Sequence, residues 1–273
     1  MTPLSFLYGT AWKDERTASL TRLAVEAGFR GIDTANQRRH YFEQGVGDAL
    51  AELYRAGLIT REDLFLQTKF TYAGGQDHRL PYDPQADYAT QVRQSFSSSL
   101  EHLRTDYVDS YVLHGPSVGR GLSEADFAVW KAMEALSAAG KTRAIGVSNV
   151  NLGQLRMLVE AAVIPPRFVQ NRCFAVSHWD RDVRAFCAEH GIVYQGFSLL
   201  TANAQLLGGT ELGAMARRHG TTIAQLVFRF AQQVGMLPLT GTTDVKHMRE
   251  DLASSSFQLT ADEVGSIESI AAR

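Results

Sequence analysis

A chain of 273 residues with 45% hydrophobic side chains can bury a large core without staples, and the length suits a single α/β barrel domain over residues 1–273. Its 27 basic and 29 acidic side chains leave a formal charge of −2, which excludes a basic footprint for nucleic acid or an anionic membrane and favours a small-molecule partner. Cys173 and Cys187 are too few and isolated for a disulfide framework or a thiolate metal site.

No segment approaches the ~20 apolar residues of a membrane span. The N-terminal MTPLSFLYGTAWKDER reaches Gly and charge before a signal-peptide core can form. A soluble, cytoplasmic protein is expected. No heptad seam or long apolar surface face stands out, so a monomer is expected as well.

In chain order, short β-branched or apolar runs alternate with stretches of helical period, the pattern of repeated βα units. The predicted strands are Phe6–Tyr8, Gly31–Asp33, Leu64–Lys69, Val108–Leu113, Ala144–Val147, Phe168–Asn171, Val193–Phe197 and Met236–Pro238. Helices are predicted over 17–27, 43–56, 89–103, 125–138, 152–162, 180–190 and 222–234, with a last one over 260–271 outside the eighth unit. Gly28, Gly57, Gly140, Gly191 and Gly235 each follow a helical run just before the next strand, where an αβ turn needs a helix stop. Eight units in strict alternation predict a closed (β/α)8 TIM barrel, whose chemistry collects at the C-terminal ends of its strands.

Asp33, Lys69 and His114 end the second, third and fourth strands, and Tyr41 follows Asp33 in its loop. An acid and an amine facing an apolar barrel each carry a desolvation cost that pairing them removes. A lysine beside a tyrosine favours phenolate, which predicts a lowered Tyr41 pKa suited to proton donation. A neutral His114 would hydrogen-bond the same acceptor oxygen. Any one of these residues alone is more often a solvated or capping group; their order on successive strands gives the set its weight.

GFRGIDTA (28–35), QTKF (67–70), TDYVDSYVLHGP (105–116), GVSN (146–149) and VQN (169–171) resemble, in this order, the motifs of the aldo-keto reductase family, over essentially the whole chain. The resemblance implies reversible reduction of aldehyde or ketone carbonyls, with Asp33, Tyr41, Lys69 and His114 as the catalytic tetrad. Two positions depart from the pattern. Arg38 stands where the family places its tyrosine relative to the aspartate, and counting back from Gly47 puts His40 at the tyrosine register, so Tyr41 serves if its loop absorbs a one-residue shift. Gly115 replaces a tryptophan often found after the histidine. Trp12 resembles a residue lining the substrate site, and Phe70, Tyr72 and Phe174 could add apolar wall, with core packing at least as ready an account of such aromatics.

No GxGxxG follows a strand, so a Rossmann phosphate loop is excluded. The resemblance instead implies a nicotinamide dinucleotide across the barrel mouth, NADPH by preference with NADH open. Ser148, Asn149 and Gln170 would hold the carboxamide, Phe197 would stack on the ring, and Ser198 and Leu200 would lie beside the pyrophosphate. Gly241, Thr242, Thr243, His247, Glu250 and Asp251 would line the adenosine end. Gly241 and His247 replace a lysine and an arginine for the 2′-phosphate, and Lys246 and Arg249 could compensate; Thr242 and Thr243 serve equally well as helix caps. No metal is expected.

Two further readings stand beside reduction: a Schiff-base lyase using Lys69, and a nicotinamide-binding sensor or scaffold without turnover. The loop from Thr71 to Tyr88 is read as a surface loop, with a mobile lid as the alternative. With the last helix ending near residue 273, an open pocket is expected.

Overall fold

The computed structural model describes residues 4–272. Eight parallel strands close into a barrel in sequence order: β1 (Leu7–Gly9), β2 (Gly31–Asp33), β3 (Phe65–Phe70), β4 (Ser110–Leu113), β5 (Ile145–Ser148), β6 (Phe168–Arg172), β7 (Val193–Phe197) and β8 (Met236–Thr240). β8 pairs back onto β1 through Leu7↔Leu239 and Tyr8↔Thr240. The (β/α)8 expectation holds; β2 and β7 have the expected bounds, and each other strand differs at one or both ends by one or two residues.

Helices α1 (Thr17–Ala27), α2 (Glu43–Arg55), α3 (Tyr88–Leu103), α4 (Glu124–Ala138), α5 (Leu152–Ala161) and α6 (Arg181–Glu189) follow β1, β2, β3, β4, β5 and β6. After β7 come the short α7 (Ala204–Leu207), then α8 (Thr210–His219) and α9 (Ile223–Gln233); α10 (Val245–Leu252) and α11 (Ala261–Glu268) follow β8. Side chains at strand ends and caps set these bounds. Ser123, Asn151, Thr222 and Thr260 each open a helix with a reciprocal capping box, satisfying amides the first turn would orphan.

Strand alternation divides the core in two. Outward residues such as Phe6, Tyr8, Ile32, Leu66, Phe70, Tyr111, Val169 and Tyr194 pack under the helices in one continuous apolar cluster. Inward residues fill the barrel in layers: Phe65 against Phe168 low down, with ring centroids 5.3 Å apart edge to face, then Leu7, and above it a layer of glutamines. Gly31 is obligatory there, because a Cβ would stand 2.7 Å from Leu7 Cδ2. Gly47 meets a second constraint: a Cβ would lie 1.9 Å from the His102 carbonyl oxygen, so α2 and α3 cross with no room for any side chain at that point.

At the closed end, Asp109 accepts from Arg61 Nη2 at 2.9 Å, Arg143 Nη1 at 2.9 Å and the Leu66 amide at 2.9 Å. The Tyr107 ring lies 4.1 Å from the Arg61 guanidinium and 4.4 Å from that of Arg143, so the two cations that share Asp109 also share an aromatic ring.

Candidate active site

At the open end, Lys69 Nζ donates to Asp33 Oδ1 at 2.7 Å, Asp33 Oδ2 at 2.8 Å and the Thr34 carbonyl at 2.8 Å. Both side chains are buried, and the pairing answers the desolvation cost argued from the sequence. Burial pulls the Lys69 pKa below its ordinary value, against the opposing pull of Asp33. Asp33 Oδ1 also accepts from Gln67 Nε2 at 2.7 Å and Gln170 Nε2 at 3.1 Å, and both amides reach Gln195 Oε1, at 2.8 and 2.9 Å. A closed layer of three amides thus supports the carboxylate from beneath. Gln67 and Gln195 were not expected; their signal was the shared parity with Lys69 and Phe197 on otherwise apolar strands.

The Tyr41 ring centroid stands 5.2 Å from Lys69 Nζ and 5.9 Å from the His114 ring, edge to face. His40 instead lies outside, its ring 3.9 Å from that of Trp12 and its Nδ1 2.9 Å from Gln37 Oε1. The register shift is absorbed by a turn in which the His40 and Tyr41 amides both reach the Gln37 carbonyl, at 3.1 and 2.9 Å. The expected lowering of the Tyr41 pKa does not occur: burial first, and Asp33 second, push the phenol up. The physical reason is that Asp33 already neutralises Lys69, so the pair presents no net cation, and a desolvated phenol keeps its proton.

His114 Nδ1 sits 2.7 Å from Thr71 Oγ1. Burial first, then Lys69, push the imidazole down to about 3, so it is neutral as expected. Hydrogen-bond accounting favours one tautomer. Were Nδ1–H the donor, the buried Thr71 hydroxyl proton would have no acceptor of its own among the described residues; with the hydroxyl donating to Nδ1, both groups are satisfied. Nε2 then carries the proton. Thr71 is held in place by the Tyr82 hydroxyl on its carbonyl at 2.8 Å, and its methyl fills the space where a Cβ on Gly75 would stand, 2.7 Å away. These contacts pack Thr71, Gly75 and Tyr82 of the 71–88 segment together near the mouth. Thr71→Val should free the tautomer and lower kcat by about tenfold, with Thr71→Ser restoring it; 15N-histidine NMR reads the His114 tautomer directly, and an unchanged spectrum in Thr71→Val would refute the assignment.

The structure separates the proposed aromatic wall. Phe70 is a correction: it points outward, fully buried against Tyr72 and Tyr82 at 5.4 and 5.6 Å, because Lys69 faces inward and the next residue must face the helices. Tyr72 is also turned away, its hydroxyl donating to Asp126 at 2.8 Å. Trp12 is 72% exposed at the mouth, with φ +61°, and Phe174 is 37% exposed on a cavity of about 560 Å³ lined also by His114, Asn149 and Arg172.

Along the mouth, the Ser148 hydroxyl donates to the Gln170 carbonyl at 2.6 Å, and Asn149, at φ +54°, donates to the His114 carbonyl at 2.7 Å. Phe197 is half-buried at the end of β7, followed by Ser198 at φ +56° and a half-buried Leu200. After β8, Gly241, Thr243 and His247 are exposed and Thr242 is half-buried. The cap of α10 is Asp244, which accepts from the Lys246 and His247 amides at 2.7 and 3.3 Å. This corrects the expected capping by a threonine: neither Thr242 nor Thr243 is the cap, and the first amides of α10 are bonded to a carboxylate. Lys246 lies 3.7 Å from Glu250, and burial pushes the Asp251 carboxyl up to about 6.

One cation in this region escaped the sequence reading. Lys13, in the loop after β1, is buried and donates to the Gly241 carbonyl at 2.8 Å; burial first, then Arg16, bring its pKa down to about 8. It places an ammonium beside the position where Gly241 removes one. Its signal was adjacency to Trp12, but the crossing from β1 to the β8 loop is a property of barrel closure. Among the described residues, no group of three or more His, Cys, Asp or Glu could hold a metal ion, and no helix is long and apolar enough to cross a membrane.

The barrel with an Asp–Lys pair and a tyrosine at its open end finds its class by comparison: the Aldo/keto reductase family model matches residues 6–272, and the chain belongs to that family. Among its relatives, the "Uncharacterized oxidoreductase YtbE" of Bacillus subtilis (strain 168) is 30% identical over 249 residues, covering 91% of this chain and 81% of that protein. The NAD(P)H-dependent 6'-deoxychalcone synthase of Glycine max is 29% identical, covering 96% and 83%. The crystal structure of MGS-M4, an aldo-keto reductase from a Medee basin deep-sea metagenome library, superposes with a TM-score of 0.83 at 25% identity, covering 99% of this chain and 92% of that one.

Proposed function

We propose that the protein reduces aldehyde or ketone carbonyls to alcohols with NADPH, reversibly, as an NADP-dependent member of its family. The observation that carries this reading is the Tyr41 ring between the Asp33-paired Lys69, 5.2 Å away, and the neutral His114. The donor set fits the cofactor. Ser148, Asn149 and Gln170 offer polar groups to a carboxamide and Phe197 a stacking face; Lys13 is a buried ammonium whose acceptor here is a neutral carbonyl, an arrangement suited to an anion. Bound NADPH supplies the hydride that the carbonyl carbon accepts.

Tyr41 donates its proton to the carbonyl oxygen as negative charge develops there, and the proton is replaced from water. His114 donates Nε2–H to the same oxygen and orients it. The Lys69 ammonium, 5.2 Å from the Tyr41 ring, is the cation nearest the transient phenolate, its charge offset by Asp33, which Gln67 and Gln170 hold in place. A Schiff-base role for Lys69 is disfavoured, since its three protons all have acceptors and no lone pair is free. Two buried free thiols suit a reducing cytoplasm.

Mixing the protein with NADPH and a panel of aldehydes tests the reading: carbonyl-dependent loss of reduced-cofactor absorbance supports it. Quenching of protein fluorescence by NADPH without turnover would instead support the sensor reading. Lys13 gives a second, pH-dependent expectation. With a free-protein pKa of about 8, it is cationic below that pH, so NADPH affinity is fully present there and declines as pH rises through about 8. Lys13→Met should raise the NADPH Kd about tenfold and flatten this dependence; a fluorescence titration with the same slope in both proteins would contradict it.

A further inference from the structure

We propose that the substrates are carbonyl compounds that also carry a carboxylate or similar anion, and that Arg172 selects them; this rests on the reductase reading of the same site. Phe168, Gln170 and Arg172 share the inward face of β6. Gln170 is inside the barrel, bonded to Asp33 and Gln195. Arg172 therefore stands roughly 6–7 Å further out on the same face, at the mouth. There it lines the cavity of about 560 Å³ onto which His114 opens, a size suited to a small organic ligand.

Among the described residues lining that cavity, Arg172 is the one cation beside a neutral His114, and Asp180 is the one carboxylate. The two do not pair. Asp180 Oδ2 instead accepts from Asn171 Nδ2 and the Tyr194 hydroxyl, each at 2.8 Å. Its orientation is imposed by three consecutive left-handed residues, His178, Trp179 and Asp180, at φ 51°, 53° and 58°. Such a run is unfavourable for non-glycine residues, and it is held by Trp179, which is fully buried with its indole N–H on the Ile267 carbonyl at 2.9 Å. The strain thus turns the available counter-ion away and leaves the guanidinium open to a ligand. Its aromatic contact, with Phe197 at 5.8 Å, is loose.

A guanidinium takes a carboxylate through two parallel hydrogen bonds. Phe174 and Val118, 37% and 41% exposed on the same cavity, offer an apolar wall to the body of such a molecule. In the proposed pose the carbonyl lies at Tyr41 and His114 and the anion at Arg172, with His114, which lines the cavity and meets the Tyr41 ring, joining the two ends.

The test compares 4-carboxybenzaldehyde with its neutral methyl ester, methyl 4-formylbenzoate. The expected kcat/KM ratio favours the acid by about tenfold or more in the natural protein, falls toward one in Arg172→Met, and is partly kept in Arg172→Lys. A ratio near one in the natural protein, or the same ratio in Arg172→Met, overturns the proposal. If neither aldehyde turns over, the reductase reading fails on its own, and calorimetric titration with the same two compounds decides the Arg172 assignment. Tighter binding of the acid that Arg172→Met abolishes supports it; equal binding of the two overturns it.

Discussion

Replacing Tyr41 with Phe is expected to lower kcat for aldehyde reduction by about 10²- to 10⁴-fold, the range in which a positioned general acid contributes, while NADPH still binds. The substitution removes one oxygen and leaves the ring packed between Lys69 and His114, at the 5.2 and 5.9 Å separations described, so the mouth keeps its shape. Because burial and Asp33 hold the phenol protonated, the donor form is present throughout the neutral range. Reduction should accordingly show no loss from Tyr41 ionisation up to about pH 9. His40→Phe is the companion variant: its ring lies against Trp12, away from Lys69, and turnover should persist. Collapse in His40→Phe with survival in Tyr41→Phe would reverse the assignment, and single-turnover kinetics with bound NADPH would show which step is lost.

The second large effect lies at the closed end. Asp109→Ala is expected to destabilise the fold by about 3–5 kcal/mol, the cost of leaving one member of a buried pair unpaired. Arg61, at 12% side-chain exposure, would lose its carboxylate, and the Leu66 amide its acceptor. Arg143→Ala should cost about 1 kcal/mol or less, since that side chain is 49% exposed. Urea denaturation of the two variants measures the difference directly. The surviving folded fraction of Asp109→Ala should reduce aldehydes normally, because the cluster lies at the opposite end of the barrel from Tyr41. Equal midpoints for the two variants would contradict this account.

The eight staves were legible because each is a short apolar run, and the second, third, fifth, seventh and eighth also follow a glycine stop, signals carried by neighbouring residues alone. Asp33, Lys69 and His114 were legible for the same reason, as polar residues at the ends of such runs. Phe70 was misplaced although alternation from Lys69 already sends it outward; the apolar strand hid its own parity. The stretch forming α7 and α8 went unassigned, and Gly208 and Gly209 break its helical period at the point where the two helices separate. Other features need three dimensions. No linear pattern brings Lys13 to Gly241, sets Thr71 against His114, or shows that Asp33 cancels the charge that would have acidified Tyr41.

The first stave is also the most weakly laced. β1 has three residues and meets β2 and β8 through two paired positions each, against five between β6 and β7. Above it, the Tyr8 hydroxyl reaches the Thr242 carbonyl at 3.0 Å and Lys13 reaches that of Gly241, like two clasps across a short zip. A dinucleotide laid along residues 241–243 would press on both clasps, so a filled mouth would also fasten the start of the chain to its last strand. Thermal opening would begin along this line, and the ligand that serves the chemistry would be the one that delays it.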